Sequence, residues 1–77
     1  MASFRIDFTK NNNQKDKIVF TTLSEFLAFK KTIHDNVRDI YGFYINGQLI
    51  CYCDTFDKEP FLKIVQNTVK ALDDTLE

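Results

Sequence analysis

A chain of 77 residues has room for one hydrophobic core and no second domain. A hydrophobic content of 44%, with eight Phe and no Trp, favours a folded chain over a disordered one. Eleven acids against ten bases leave a net charge of −1, which excludes a general electrostatic grip on nucleic acid or an anionic membrane and leaves only local patches open.

The first eight residues carry no basic flank followed by an apolar run, and no stretch of the chain approaches membrane-spanning length, so cytoplasmic residence is the expectation. Residues 3–9 (SFRIDFT) alternate strictly: Phe4, Ile6 and Phe8 fall on one face, Arg5 and Asp7 on the other. That is a half-buried strand. Residues 10–16 (KNNNQKD) read as a polar tip, solvated or, in a sharper reading, contacting phosphate. Residues 17–21 (KIVFT) then return as a second strand.

Thr22 with Glu25 three residues on has capping-box spacing, which predicts a helix starting at about Leu23. Its apolar side gathers Leu23, Phe26, Leu27, Phe29 and Ile33, with Lys30 and His34 at the edge, where a long stem covers apolar area and the charge stays wet. Residues 35–39 (DNVRD) supply stop and turn residues, with Asn36 as the expected C-terminal cap.

Residues 40–53 (IYGFYINGQLICYC) are two apolar runs flanking Asn46-Gly47, a pair that suits a two-residue type I′ turn. An uninterrupted register from that turn pairs Tyr44 with Leu49, Phe43 with Ile50 and Tyr41 with Tyr52. One face then carries Tyr41, Phe43, Ile45, Ile50 and Tyr52, the other Ile40, Tyr44, Leu49, Cys51 and Cys53. Neither face is polar, so both require cover.

Cys51 and Cys53 stand on one face roughly 6.6 Å apart by strand rise, awkward for a disulfide, and read as reduced thiols of an intracellular protein. A metal or redox site at this CxC lacks further ligands, since His34 is the only His. The last helix is expected from an N-cap at Asp57 through Pro60, with Phe56 and Phe61 as a hydrophobic staple. Phe61, Leu62, Ile64, Val65, Thr68, Val69, Leu72 and Leu76 fill about half its wheel. Its end carries Asp73, Asp74 and Glu77, the wrong sign for the negative end of a helix dipole, read either as a frayed tail or as an acidic edge that meets a basic surface.

The expected fold is α+β, one domain over residues 1–77: a four-stranded antiparallel sheet from two hairpins, with two helices, in the order ββαββα. Both helices on one face would leave an aromatic face outside; one helix on each face would cover everything within one chain. No catalytic motif, metal-ligand spacing or phosphate loop occurs, which argues against an enzyme and against a cofactor. The leading expectation is a non-enzymatic protein-interaction module, binding a protein partner or a second copy of itself through Tyr41, Phe43, Ile45, Ile50 and Tyr52 and an acidic edge at Asp73 and Asp74. Size and composition suit a phage or mobile-element inhibitor that occludes a host protein such as a nuclease. The alternatives are single-stranded nucleic-acid binding, with Tyr41, Phe43 and Tyr52 stacking and Arg5, Lys15, Lys17 and Lys30 on phosphate, and small-ligand sequestration at a dimer interface.

Overall fold

The computed structural model describes residues 2–53 and 57–73, with His34 described in its backbone alone. Strands β1 (Phe4–Lys10), β2 (Lys15–Phe20), β3 (Val37–Ile45) and β4 (Gln48–Tyr52) and helices α1 (Leu23–Asn36) and α2 (Glu59–Leu72) follow the order ββαββα. The strands form one antiparallel sheet in the order β2-β1-β3-β4, so the strictly alternating N-terminal strand is central and the two hairpins join along it.

Burial follows the alternation of β1. Phe4, Ile6 and Phe8 point into the core, opposite Phe20, Ile18 and Asp16 on β2, while Arg5 and Asp7 lie on the half-exposed outer side. Helix α1 adds Phe26, Phe29 and Ile33, and α2 adds Phe61, Leu62, Val65 and Val69, all to the same core as the inner face of β1. Phe rings form its spine: Phe4 stacks between Phe20 at 5.4 Å and Phe43 at 6.1 Å, and Phe8 meets Phe29 at 5.3 Å. Both helices therefore cover one face, and the arrangement with one helix on each side is not adopted. The covering stripe is narrower than expected. Leu27, Ile64 and Leu72 are exposed, because each helix packs on one side only and the buried positions of α2 (61, 62, 65 and 69) satisfy that side.

The Asn46-Gly47 turn has positive φ at both residues, 51° and 82°, as a type I′ turn requires. It is also tied to the start of β1: Asn46 N–H donates to the Ser3 carbonyl at 2.8 Å, and Ser3 N–H donates to Asn46 Oδ1 at 3.0 Å.

The expected turn over residues 35–39 is absent, because α1 continues through Asn36 and β3 begins at Val37. The last helical carbonyls are instead taken by the Asn-rich tip between β1 and β2. Asn11 Nδ2 donates to the Asp35 carbonyl at 2.6 Å and Asn11 N–H to the Asn36 carbonyl at 3.3 Å. Asn13, with φ of 68°, supplies the left-handed residue of the tip and accepts from Arg38 Nη1 on β3. The tip is thus docked on α1 through Asn11, which serves a helix end that has no glycine cap, and on β3 through Asn13.

At the other end of α1, Thr22 Oγ1 accepts from Glu25 N–H at 3.3 Å. Glu25 Oε1 in turn accepts from Thr21 N–H at 3.2 Å and Thr22 Oγ1–H at 3.1 Å, so its reach back extends one residue past the cap. The Thr21 N–H first, and then the Thr22 hydroxyl, hold the Glu25 carboxyl below its ordinary value. Asp16 is lowered in the same way, by the Lys17 N–H and then by Lys10. A depressed carboxylate pKa contributes stability that is complete above the unfolded value, about 4.3 for Glu, and is lost as pH falls through the folded value. Thermal unfolding followed downward from about pH 5 should therefore show falling stability. The fall should be shallower in Glu25→Gln, and an identical slope would remove Glu25 from the cause.

Candidate functional site

The face away from the helices is built in rows across the sheet. One row runs Val19, Arg5, Tyr44, Leu49 and the next Lys17, Asp7, Gly42, Tyr52. Arg5 lies over the Tyr44 ring at 4.0 Å, and its Nε faces Asp7 Oδ1 at 3.0 Å without an aligned hydrogen bond, so the pair is held by charge. Gly42 gives the second row its shape. A Cβ there would stand 3.1 Å from Leu49 Cδ1 and 3.7 Å from Tyr52 Cδ1, so the side chains of β4 fold over the space it leaves.

Two shifts between β1 and β3 decide which residues reach this face. Asp7 pairs with Gly42 but Phe8 with Ile40, leaving Tyr41 as an extra residue, and a second shift leaves Arg38 extra in the same way. Inward positions on β3 are consequently spaced by three, at Val37, Ile40 and Phe43. A third shift, between β3 and β4, makes Ile50 the extra residue, so Phe43 faces Cys51 rather than Ile50, and Gly42 faces Tyr52.

The five hairpin residues expected on one face are therefore divided. Tyr41, Ile50 and Tyr52 are exposed at 58%, 47% and 55%. Phe43 is wholly buried and Ile45 is partly buried against the core, which corrects their placement beside the tyrosines: an uninterrupted alternation cannot hold across three bulges. Tyr44 and Leu49, assigned to the opposite face, join the outer surface. The tell-tale in the sequence is the apolar spacing of three at Val37, Ile40 and Phe43, which a plain strand does not show. Tyr41 and Tyr52 meet edge to face at 5.4 Å, and the neighbouring Tyr41 hydroxyl pushes the Tyr52 phenol above its ordinary value.

Asp73 is not part of an exposed acidic edge. It is 6% exposed, and its Oδ2 accepts from Leu23 N–H at 2.7 Å, so a carboxylate at the end of α2 satisfies a free donor at the positive end of α1. Asp74 lies outside the described residues, as do Phe56 of the expected staple and Leu76 and Glu77. The N-cap of α2 is Lys58 rather than the expected Asp57 and makes no side-chain cap bond; Asp57, one residue earlier, accepts Glu59 N–H at 3.0 Å. Lys30 sits on the helical side, donating to Gln66 at 3.1 Å, and so cannot share a ligand with the outer tyrosines.

Cys51 on β4 and Cys53 just after it pack against the core, and burial first, then the neighbouring Cys53, pushes the Cys51 thiol up. Among the described residues no three His, Cys, Asp or Glu side chains converge as metal ligands, and no helix is long and apolar enough to cross a membrane.

A cleft of about 450 Å³ opens beside the Tyr41 bulge, where β1 and β2 run toward their connecting tip; Asp7, Thr9, Lys15 and Lys17 line it with Tyr41. No protein-family model matches the chain, and neither the curated proteins nor the solved structures contain a match to it.

Proposed function

We propose that this chain is a non-catalytic protein-interaction module that docks through the outer face of its sheet. One observation carries the reading: a face that no described residue covers holds Tyr41, Tyr44, Tyr52, Val19 and Leu49 around Arg5, with Tyr41, Tyr52 and Val19 each more than half exposed. Tyr and Arg are the residues that most often anchor protein interfaces, and an apolar patch with a mixed-charge rim fits a protein surface better than a polyanion. Such a module acts by covering what it binds. In its narrowest form the proposal is an inhibitor that occludes a host enzyme such as a nuclease; in its simplest form the partner is a second copy.

Tyr52→Lys places a charge against Tyr41 at the β4 side of the patch without touching the core. The expected outcome is a folded protein, within about 1.5 kcal/mol of the parent after loss of the Tyr41 contact, that no longer self-associates by light scattering or no longer blocks its partner. A variant that keeps both stability and every association of the parent would remove this reading.

A further inference from the structure

The cleft beside Tyr41 has a charge balance that the outer face as a whole lacks. Its two carboxylates are already matched: Asp7 faces Arg5 at 3.0 Å, and Asp16 is paired with Lys10 at 3.1 Å. Among the described residues, neither Lys15 nor Lys17 has its ammonium in an ion pair or a hydrogen bond, and both line the cleft from β2. Two positive charges with no close partner, Lys17 acting on Asp16 only through space, therefore stand across the cleft from the exposed ring of Tyr41, which the bulge pushes out of the regular pleat, with Thr9 on the strand between them. An inorganic anion would need only the ammonium groups, and an apolar ligand only the ring.

We propose that this cleft binds a nucleotide, free or as one unit of a single strand, with the base stacked on Tyr41 and the phosphate held by Lys15 and Lys17. The volume of about 450 Å³ falls within the range of small-ligand sites, and stacking on an aromatic ring beside cations is how unpaired bases are commonly held. The site shares Tyr41 with the docking face but takes its positive charge from β2, at the edge of the sheet opposite Leu49 and Tyr52 on β4.

The test is a titration of the folded chain followed by amide NMR, using adenosine monophosphate, a short oligothymidylate and inorganic phosphate. Adenosine monophosphate should give saturable shifts at Thr9, Lys15, Lys17 and Tyr41, and Lys15→Glu combined with Lys17→Glu should weaken binding about tenfold or more while leaving the unfolding midpoint nearly unchanged. Tighter, more salt-sensitive binding of the oligonucleotide would identify the source as a strand, and equal binding a free nucleotide; either supports the site. Absence of shifts at millimolar nucleotide and oligonucleotide, binding that survives the double charge reversal, or inorganic phosphate binding as tightly as the nucleotide would overturn it. The double reversal on β2 leaves Tyr41 and Tyr52 in place, and Tyr52→Lys leaves both lysines in place, so the two proposals fail separately.

Discussion

Phe43→Ala should cost about 3–5 kcal/mol of stability, close to the whole stability of a domain this small, whereas Tyr52→Ala, nine residues on and equally aromatic, should cost about 0.5–1.5 kcal/mol. The contrast follows from the bulges. Phe43 is fully buried, stacked on Phe4 and opposite Cys51, and truncating it leaves a cavity at one end of the Phe spine. Tyr52 is more than half exposed and loses little beyond its edge contact with Tyr41. Urea midpoints measure both, and Phe43→Leu keeps the comparison available should the alanine variant not fold. Similar costs at the two positions would mean that the hairpin is not divided as described.

The second large effect is expected at Asp73. Asp73→Ala should destabilise by about 1–3 kcal/mol, the cost of leaving a buried donor unsatisfied, because the Leu23 N–H loses its acceptor where the two helices meet. Asp73→Asn retains an acceptor and should recover a good part of the loss, the remainder reporting the charge at the positive end of α1. A solvated acidic tail predicts instead a change within about 0.5 kcal/mol for either variant. Thermal unfolding at neutral pH separates the two. The helix pair is bridged again by Lys30 and Gln66, so loss of Asp73 should loosen the start of α1 before it separates the helices.

The features legible in the sequence were those set by local chemistry. The alternation of Phe4, Ile6 and Phe8, the positive-φ pair Asn46-Gly47 and the Thr22 cap depend on neighbours a few residues away, and each is found where its spacing puts it. What was hidden depends on partners distant in the chain. Residues 37–39 resemble a turn because Arg38 and Asp39 interrupt the apolar pattern; only pairing with β1 converts them into a bulged strand. Asp73 has the wrong sign for its own helix and the right sign for another whose start lies fifty residues earlier. The same holds for the candidate site. Tyr44 and Leu49 pair as a simple hairpin has it and lie outside because Phe43 faces the core, but Tyr41 and Tyr52 join them on that face only through register shifts that no alternation rule contains.

The account depends on the tyrosine face being open in the isolated molecule, and light-induced nuclear polarisation of tyrosine ring protons reads that openness residue by residue. In dilute solution Tyr41 and Tyr52 should polarise strongly, Tyr44 more weakly beneath Arg5, and the signals of Tyr41 and Tyr52 should fade as a partner or a second copy is added. Rings that stay dark in the dilute monomer would mean that the chain covers this face itself, leaving nothing there for another molecule to dock against.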